Sequence, residues 1–425
     1  MILFAIGVLA GLAVFNIRLA KSPFYPPAVF AAFWAALLLF LVLSGDRLYP
    51  LLDGSLVVFV AGAVSYSFGG HFGLSVPQRT YAPLSERHRA FLSSVFNAAL
   101  IGMIVIAPFY VGRLSQIIAN SQNIDPLVAL RSEVSNVDGG GMEIGLYRYA
   151  ISLFTFLALV AWSECDGSPS QRIRCWIMVA LVMAYQLSTS GRLGALLFIF
   201  SLLWIVFFRG RRIAIVPLVV GAITLVAVFA SAAILLNKGG NREAGLAENI
   251  TGVFDSFLVY LLGGSVAFNE VVTNPAIIRQ DLFTFFYQVA NALGANFEVW
   301  RLEPVYVATP EWTNVFTLYM SVYAQFGFLG VVVYMLLLGG TAAWLFKAAE
   351  RGSPWATVFS AQLVGSLLLT GATDPFLPST SLWIQLGVFC WLVYKLPGYW
   401  LNGRSQFRRP HAATFRRRYA RGGSL

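Results

Sequence analysis

The chain has 425 residues; 58% are hydrophobic, 15% aromatic and only 11% charged, and the mean hydropathy is +0.72. A soluble domain carries about 25% charged residues, so this composition excludes a water-soluble globular protein and predicts a polytopic membrane protein. The net charge of +10 does not indicate nucleic acid once position is considered. Seven arginines lie between Arg404 and Arg421 with no acid among them, just past the last apolar segment, where a basic tail anchors on anionic lipid.

A membrane span needs about 20 mostly apolar residues. In chain order the candidates are 2–16, 24–43, 51–69, 91–111, 145–162, 174–188, 193–208, 213–236, 315–346, 355–372 and 380–396. They predict an all-α polytopic membrane protein of about 11 transmembrane helices, one membrane domain over 1–396 and a basic cytoplasmic tail over 397–425. The first segment has no positive region before it and is followed by Arg18 and Lys21, so it reads as a retained span and not a signal peptide. The segment 315–346 is long for one span, and a split there would change the parity.

Orientation follows from the cytoplasmic excess of Lys and Arg. With the arginine tail inside, the inner side also receives Arg18 and Lys21, Arg79, Arg87 and Arg89, Arg172 and Arg174, Arg209, Arg211 and Arg212, Lys347 and Arg351, and Lys395. The N-terminus is then outside. Cys165, Cys175 and Cys390 all fall away from the outer side and have no CxxC spacing, which supports neither a disulfide framework nor a zinc site.

Two outer segments are long. The smaller, 112–144, is polar and contains Gly139-Gly140-Gly141. The larger, 237–314, is too rich in aromatic residues to read as disorder, and loops of such length are usually functional. Within it, Phe254–Phe268 and Leu282–Ala290 are apolar but interrupted by polar residues, which predicts short re-entrant or interfacial helices. They would hold the loop against the membrane surface as a lid.

Positive charges on the outer side run against the bias that sets the orientation. Arg47 sits beside Asp46 in a short turn and reads as solvated. Arg192 closes Ser188-Thr189-Ser190-Gly191-Arg192, a polar hinge between two apolar segments. Ser188, Ser190, the free N–H groups of the next helix start and the guanidinium would face one small volume, which suits a phosphate; a tight turn with a snorkelling arginine is the alternative. Arg148, within Tyr147-Arg148-Tyr149, has the composition of an interfacial aromatic belt. Arg242, Arg279 and Arg301 lie in the large loop, where they either pair with its acids or converge on a diphosphate.

Thr309-Pro310-Glu311 has the composition of a helix start. The helix it predicts carries Asn314, Thr317, Tyr319 and Tyr323, with the two tyrosines on one face, and these groups suit sugar hydroxyls. His71, His88 and His411 all fall on the inner side, so no outer histidine is available as base or ligand. The remaining base candidates are Glu298, Glu303, Asp281 and Asp374, and no metal constellation is present.

Three stretches carry a family resemblance. Ser22-Pro23-Phe24-Tyr25-Pro26-Pro27 leading to Trp34 resembles the N-terminal signature of bacterial O-antigen polymerases, the Wzy-type oligosaccharide repeat-unit polymerases. Ser188 to Arg192 resembles their polar turn ending in arginine. Thr313-Asn314-Val315-Phe316-Thr317, followed by Tyr323-Ala324-Gln325-Phe326-Gly327, resembles their motif after the large periplasmic loop, with Gln325 where the family commonly has aspartate. The related O-antigen ligases carry an outer-loop histidine that this chain lacks.

The resemblance implies a fold like that of GT-C glycosyltransferases in the bacterial inner membrane. The substrate would be an undecaprenyl-diphosphate-linked oligosaccharide, polymerised at the periplasmic face without metal or other cofactor. Membrane lipid, a chain-length regulator and a flippase of the same pathway would be its partners. Arg192, Arg279 and Arg301 would stabilise the diphosphate. Two rival readings are a ligase-like glycosyltransferase and a transporter or flippase of anionic lipid-linked substrates. Transporters tend to show internal repeats and mid-membrane charges, whereas here the charges cluster at span ends.

Overall fold

The computed structural model describes residues 1–120, 144–165, 168–188, 192–210, 252, 254–278, 286–287, 290–291, 293–296, 306–309 and 312–395. The chain is a bundle of helices. In order they are α1 (Ile2–Ala20), α2 (Pro26–Leu43), α3 (Asp53–Ser75), α4 (Glu86–Asn120), α5 (Tyr147–Glu164), α6 (Pro169–Ser188) and α7 (Arg192–Phe208). They continue with α8 (Phe254–Thr273), α9 (Met320–Glu350), α10 (Pro354–Leu367) and α11 (Thr380–Cys390), which runs on into a π turn, Trp391–Lys395. Among the described residues, α1, α2, α3, α4, α8 and α9 are long and apolar enough to cross a membrane. This is a multi-pass membrane protein.

Two segments differ from expectation. The outer segment expected over 112–144 begins as helix, because α4 continues to Asn120. Tyr110, Leu114 and Ile117 keep a helical period and are buried, so packing extends the helix past its apolar run. At 35 residues α4 spans about 50 Å and outreaches a hydrocarbon core of about 30 Å. The long segment 315–346 is divided by a break. Gly327 has φ 61° and ψ −158° inside α9, a conformation open only to glycine. A short piece precedes the break and a full-length span follows it.

The helix pair with the closest backbone approach is α3 and α9. Gly69 and Gly73 lie against the carbonyls of Leu336 and Gly340, and Gly339 lies against that of Tyr66. Any side chain would collide there. Small residues at a helix seam let backbones meet where the lipid gives no hydrophobic drive.

The helix ends sort into two groups. At one end Lys347 donates to Val76 O at 2.9 Å and Arg351 donates to Gln78 O. His88 Nε2 bonds Val393 O at 3.0 Å, and Arg209 donates to Trp162 O at 2.8 Å and to Cys165 O. The ring of Phe24 packs on Trp204 with centroids 5.4 Å apart. Lys347, Arg351 and Arg209, three of the residues grouped on one side by charge, therefore lie at one end of the bundle, where Phe208 and Phe346 also pack together; this is the basic end. At the other end, Arg47, Phe316 and Gly371 contact α8, and Tyr110 meets Ser188 at 2.9 Å.

Helix α8 lies across that second end. Arg47 Nη1 pairs with Asp255 Oδ1 at 2.8 Å, and the Arg47 guanidinium sits 5.4 Å from the Phe254 ring centre. Near the other end of α8, Asn269 Oδ1 accepts from Leu52 N at 3.0 Å and Ser55 Oγ at 2.8 Å, while Asn269 Nδ2 donates to Pro50 O at 3.0 Å. Residues 255 and 269 are about 21 Å apart along a helix, yet both are tied to the one turn between α2 and α3. The helix is long enough to cross a membrane, but its anchors make it a roof. Arg47, expected to be merely solvated, pins that roof.

Candidate functional site at the roofed end

Beneath α8 lies the connection between α10 and α11. Leu318 N donates to Thr370 O at 2.9 Å, and the Gly371 carbonyl packs against Gly264 of α8. The connection then turns inward and buries Asp374. Asp374 Oδ1 accepts from Phe376 N at 2.9 Å and Leu377 N at 3.3 Å, an Asx-type turn that needs no partner from elsewhere. Trp383 Nε1 fixes the turn by donating to Pro375 O at 3.0 Å, and its ring stacks on Phe376 with centroids 5.6 Å apart.

The second carboxyl oxygen, Oδ2, is buried and has no hydrogen-bond partner among the described residues. The Tyr334 hydroxyl, likewise unpartnered there, lies within electrostatic reach of it. Burial pushes the Asp374 carboxyl up to about 7, and the two backbone N–H bonds pull it back toward the ordinary carboxylate range. A carboxyl poised near neutral pH with one open oxygen is equipped to take or give a proton. Of the four base candidates read from the sequence, Asp374 is described; Asp281, Glu298 and Glu303 lie outside the described residues.

The expected sugar-binding helix is differently built. Val307–Ala308 and Trp312–Thr313 pair as short antiparallel strands, with Val307 opposite Thr313, and the helix starts only at Met320. Hydroxyl, proline and acid in a row also mark turns, and the β-branched and aromatic residues on either side favour strands. Tyr319 is fully buried against Trp34 and Phe59, with centroids 5.2 and 5.5 Å away. It belongs to the hydrophobic core. Tyr319 and Tyr323 do share a face, and both meet Phe268 of the roof, at 6.2 and 5.5 Å. Thr317 is buried and its hydroxyl accepts from Tyr319 N at 3.4 Å, so it serves the turn. Asn314 is exposed.

Arg192 opens α7 at this end; the backbone is described and the side chain is not. Ser188 Oγ meets Tyr110 Oη at 2.9 Å and donates to Tyr185 O at 2.8 Å, which closes the α6 terminus with tyrosines packed around it. Ser190 lies outside the described residues, as do Arg242, Arg279 and Arg301. Arg148 is exposed, and its guanidinium is 5.8 Å from the ring of its neighbour Tyr149. That contact is the one expected of an interfacial aromatic belt.

Three glutamines that the sequence reading does not single out also belong to this end. Gln186, Gln362 and Gln385 border one cavity beside the start of α7. Each is an isolated amide within an apolar span, where polar groups are costly and usually functional, and that is the signal that could have found them. Among the described residues no group of His, Cys, Asp or Glu converges to hold a metal. Compared with known proteins, the chain matches no family model, no curated protein and no solved structure.

Proposed function

We propose that the protein is a glycosyltransferase of the O-antigen polymerase kind. It joins undecaprenyl-diphosphate-linked oligosaccharide repeats at the outer face of the bacterial inner membrane, on a GT-C-like scaffold of about 11 spans. The basic end faces the cytoplasm by the excess of Lys and Arg, and the roofed end faces the periplasm. The observation that supports this reading most is Asp374, a neutral-range carboxyl with one open oxygen, under a roof at the end opposite the basic residues.

In this reaction Asp374 Oδ2 takes the proton of an acceptor sugar hydroxyl. The hydroxyl oxygen bonds to the anomeric carbon of the donor sugar as the carbon–oxygen bond to the lipid diphosphate breaks. The diphosphate leaves with the bonding electron pair, and Arg192, with Arg279 and Arg301, holds its negative charge. Preorganised cations at a developing charge are the largest single source of such catalysis, and one base suffices for the acceptor. Because Asp374 is buried, the roof must lift for an acceptor to reach it. The break at Gly327 adds a second point of bending beside the roof, of a kind found where membrane helices line sites.

An assay in detergent tests the reading against transport. Purified protein given lipid-linked repeats should make polymer with no sealed membrane present. A strict requirement for closed vesicles would favour a transporter or flippase and overturn the proposal.

A further inference from the structure

A cavity of about 230 Å³ lies among α5, α6, α7, α10 and α11. Its polar lining is Ser152, Thr155, Gln186, Gln362 and Gln385, and among the described residues no ionisable side chain borders it. Gln186 Nε2 donates to Thr155 Oγ1 at 3.1 Å, and the Gln186 amide oxygen lies over Gly194, where any side chain would collide with it. Gln362 Oε1 accepts from the buried Ser201 hydroxyl at 3.1 Å. Gln385 Oε1 is buried with no hydrogen-bond partner among the described residues. Four leucines, three phenylalanines and Gly194 form the remaining wall, and two of the rings, Phe156 and Phe389, pack with centroids 5.4 Å apart.

The position is as informative as the lining. Gln186 is two residues from the end of α6, Gly194 two residues into α7, Gln362 five before the end of α10 and Gln385 five after the start of α11. At 1.5 Å per residue the amides lie within about 10 Å of the roofed end. Arg192 opens the same helix that carries Gly194.

We propose that this cavity is a subsite for one uncharged, hydroxyl-bearing sugar ring of the lipid-linked substrate. The proposal rests on the polymerase reading for the identity of the carrier lipid. Amides and hydroxyls that both donate and accept, set among phenylalanine and leucine side chains, match the edges and faces of a sugar. Among the described residues none that lines the cavity is a cation that could offset a phosphate's charge. An acyl chain would leave the buried Gln385 carbonyl unpaired, whereas a sugar hydroxyl can donate to it. The size also fits, being below the range of about 300–1,000 Å³ that holds larger ligands. The diphosphate then lies outside, toward Arg192.

Photolabelling tests this without turnover. Two probes share one photoreactive alkyl chain, an alkyl glucoside and an alkyl phosphate, and each is added to the full-length protein in lipid nanodiscs. The glucoside should label peptides containing residues 152–159 and 382–389, and excess octyl glucoside should displace it; the phosphate probe should not label them. Gln385→Met keeps volume and removes the unpartnered carbonyl. Its thermal midpoint should be unchanged or higher, since no internal hydrogen bond is lost, while glucoside labelling falls about tenfold. Equal labelling by both probes, no labelling, or undiminished labelling of Gln385→Met would overturn the subsite. Labelling of the cavity by a protein that makes no polymer in detergent would uphold the subsite and sink the polymerase. Polymer formation with an unlabelled cavity would sink the subsite alone.

Discussion

The two ends of the bundle treat their buried carboxyls in opposite ways. At the basic end, Lys347, Arg351 and Arg209 all bond backbone carbonyls at or just beyond helix C-termini, where the macrodipole favours a cation. Glu164 there is held by Tyr394 Oη at 3.3 Å. At the roofed end, Asp374 keeps one oxygen open and Gln385 keeps its carbonyl open. Buried polar atoms without a partner among the described residues occur at the basic end too, Gln78 Nε2 and Trp204 Nε1 for example, so the contrast lies in the carboxyls: Glu164 is bonded, and Asp374 bears the cost of one open oxygen.

This contrast can be broken in several ways. If the ends face opposite sides of the membrane as proposed, a periplasmic reporter fused near Asn296 is active and one fused at Gly422 is silent. The reverse pattern would put the roofed end in the cytoplasm. Next in size, Arg192→Ala should lower polymerisation by about 10²–10³-fold with the protein still in the membrane. Arg192→Lys should rescue little of this, because a fork-shaped guanidinium and not mere charge holds a diphosphate; full activity of the lysine variant would reduce Arg192 to a snorkelling residue.

Locking the roof should have a smaller but reversible effect. A Ser55→Cys/Asn269→Cys pair replaces the hydrogen bond that holds α8 to α3. Cross-linking it should cut polymerisation about tenfold or more if lifting gates access, and a reductant should restore it. An unaffected rate would mean that the roof need not move. The smallest effect is expected at the basic end. Lys347→Met should cost about 0.3–1 kcal/mol of stability, measured by thermal unfolding, and leave the polymerisation rate alone.

The bundle is legible in the sequence because an apolar run of span length has few alternatives in a membrane. One end is legible in part as well, since Lys347, Arg351 and Arg209, grouped by charge, bond the carbonyls of Val76, Gln78 and Cys165 at helix ends. Details set by distant partners are hidden. Arg47 pairs with Asp255, 208 residues away, and no local pattern announces that. Thr309-Pro310-Glu311 suits either a helix start or a turn, and the residues on either side of it pair as strands. Asp374 is one acid among four until burial singles it out. The three glutamines are visible as single letters, but only the packing of five helices brings them to one cavity.

The most direct test of the account compares Asp374→Asn with the unaltered protein. The native carboxyl is raised from 3.8 to about 7, so between those values the unfolded chain has lost its proton and the folded one has kept it. Stability therefore falls as pH rises from about 4 to 7 and levels off above. The amide introduced by Asp374→Asn would still accept from the backbone of Phe376 and Leu377 through its oxygen, and it carries no charge. The variant should therefore unfold at a higher temperature than the unaltered protein at pH 8, with a smaller gain at pH 5. Its polymerisation rate in detergent should be lower by about 10²–10⁴-fold, and the unaltered protein's rate should climb as pH passes 7. A variant that is both more stable at pH 8 and inactive is the predicted result. A variant that polymerises at the normal rate would contradict the account.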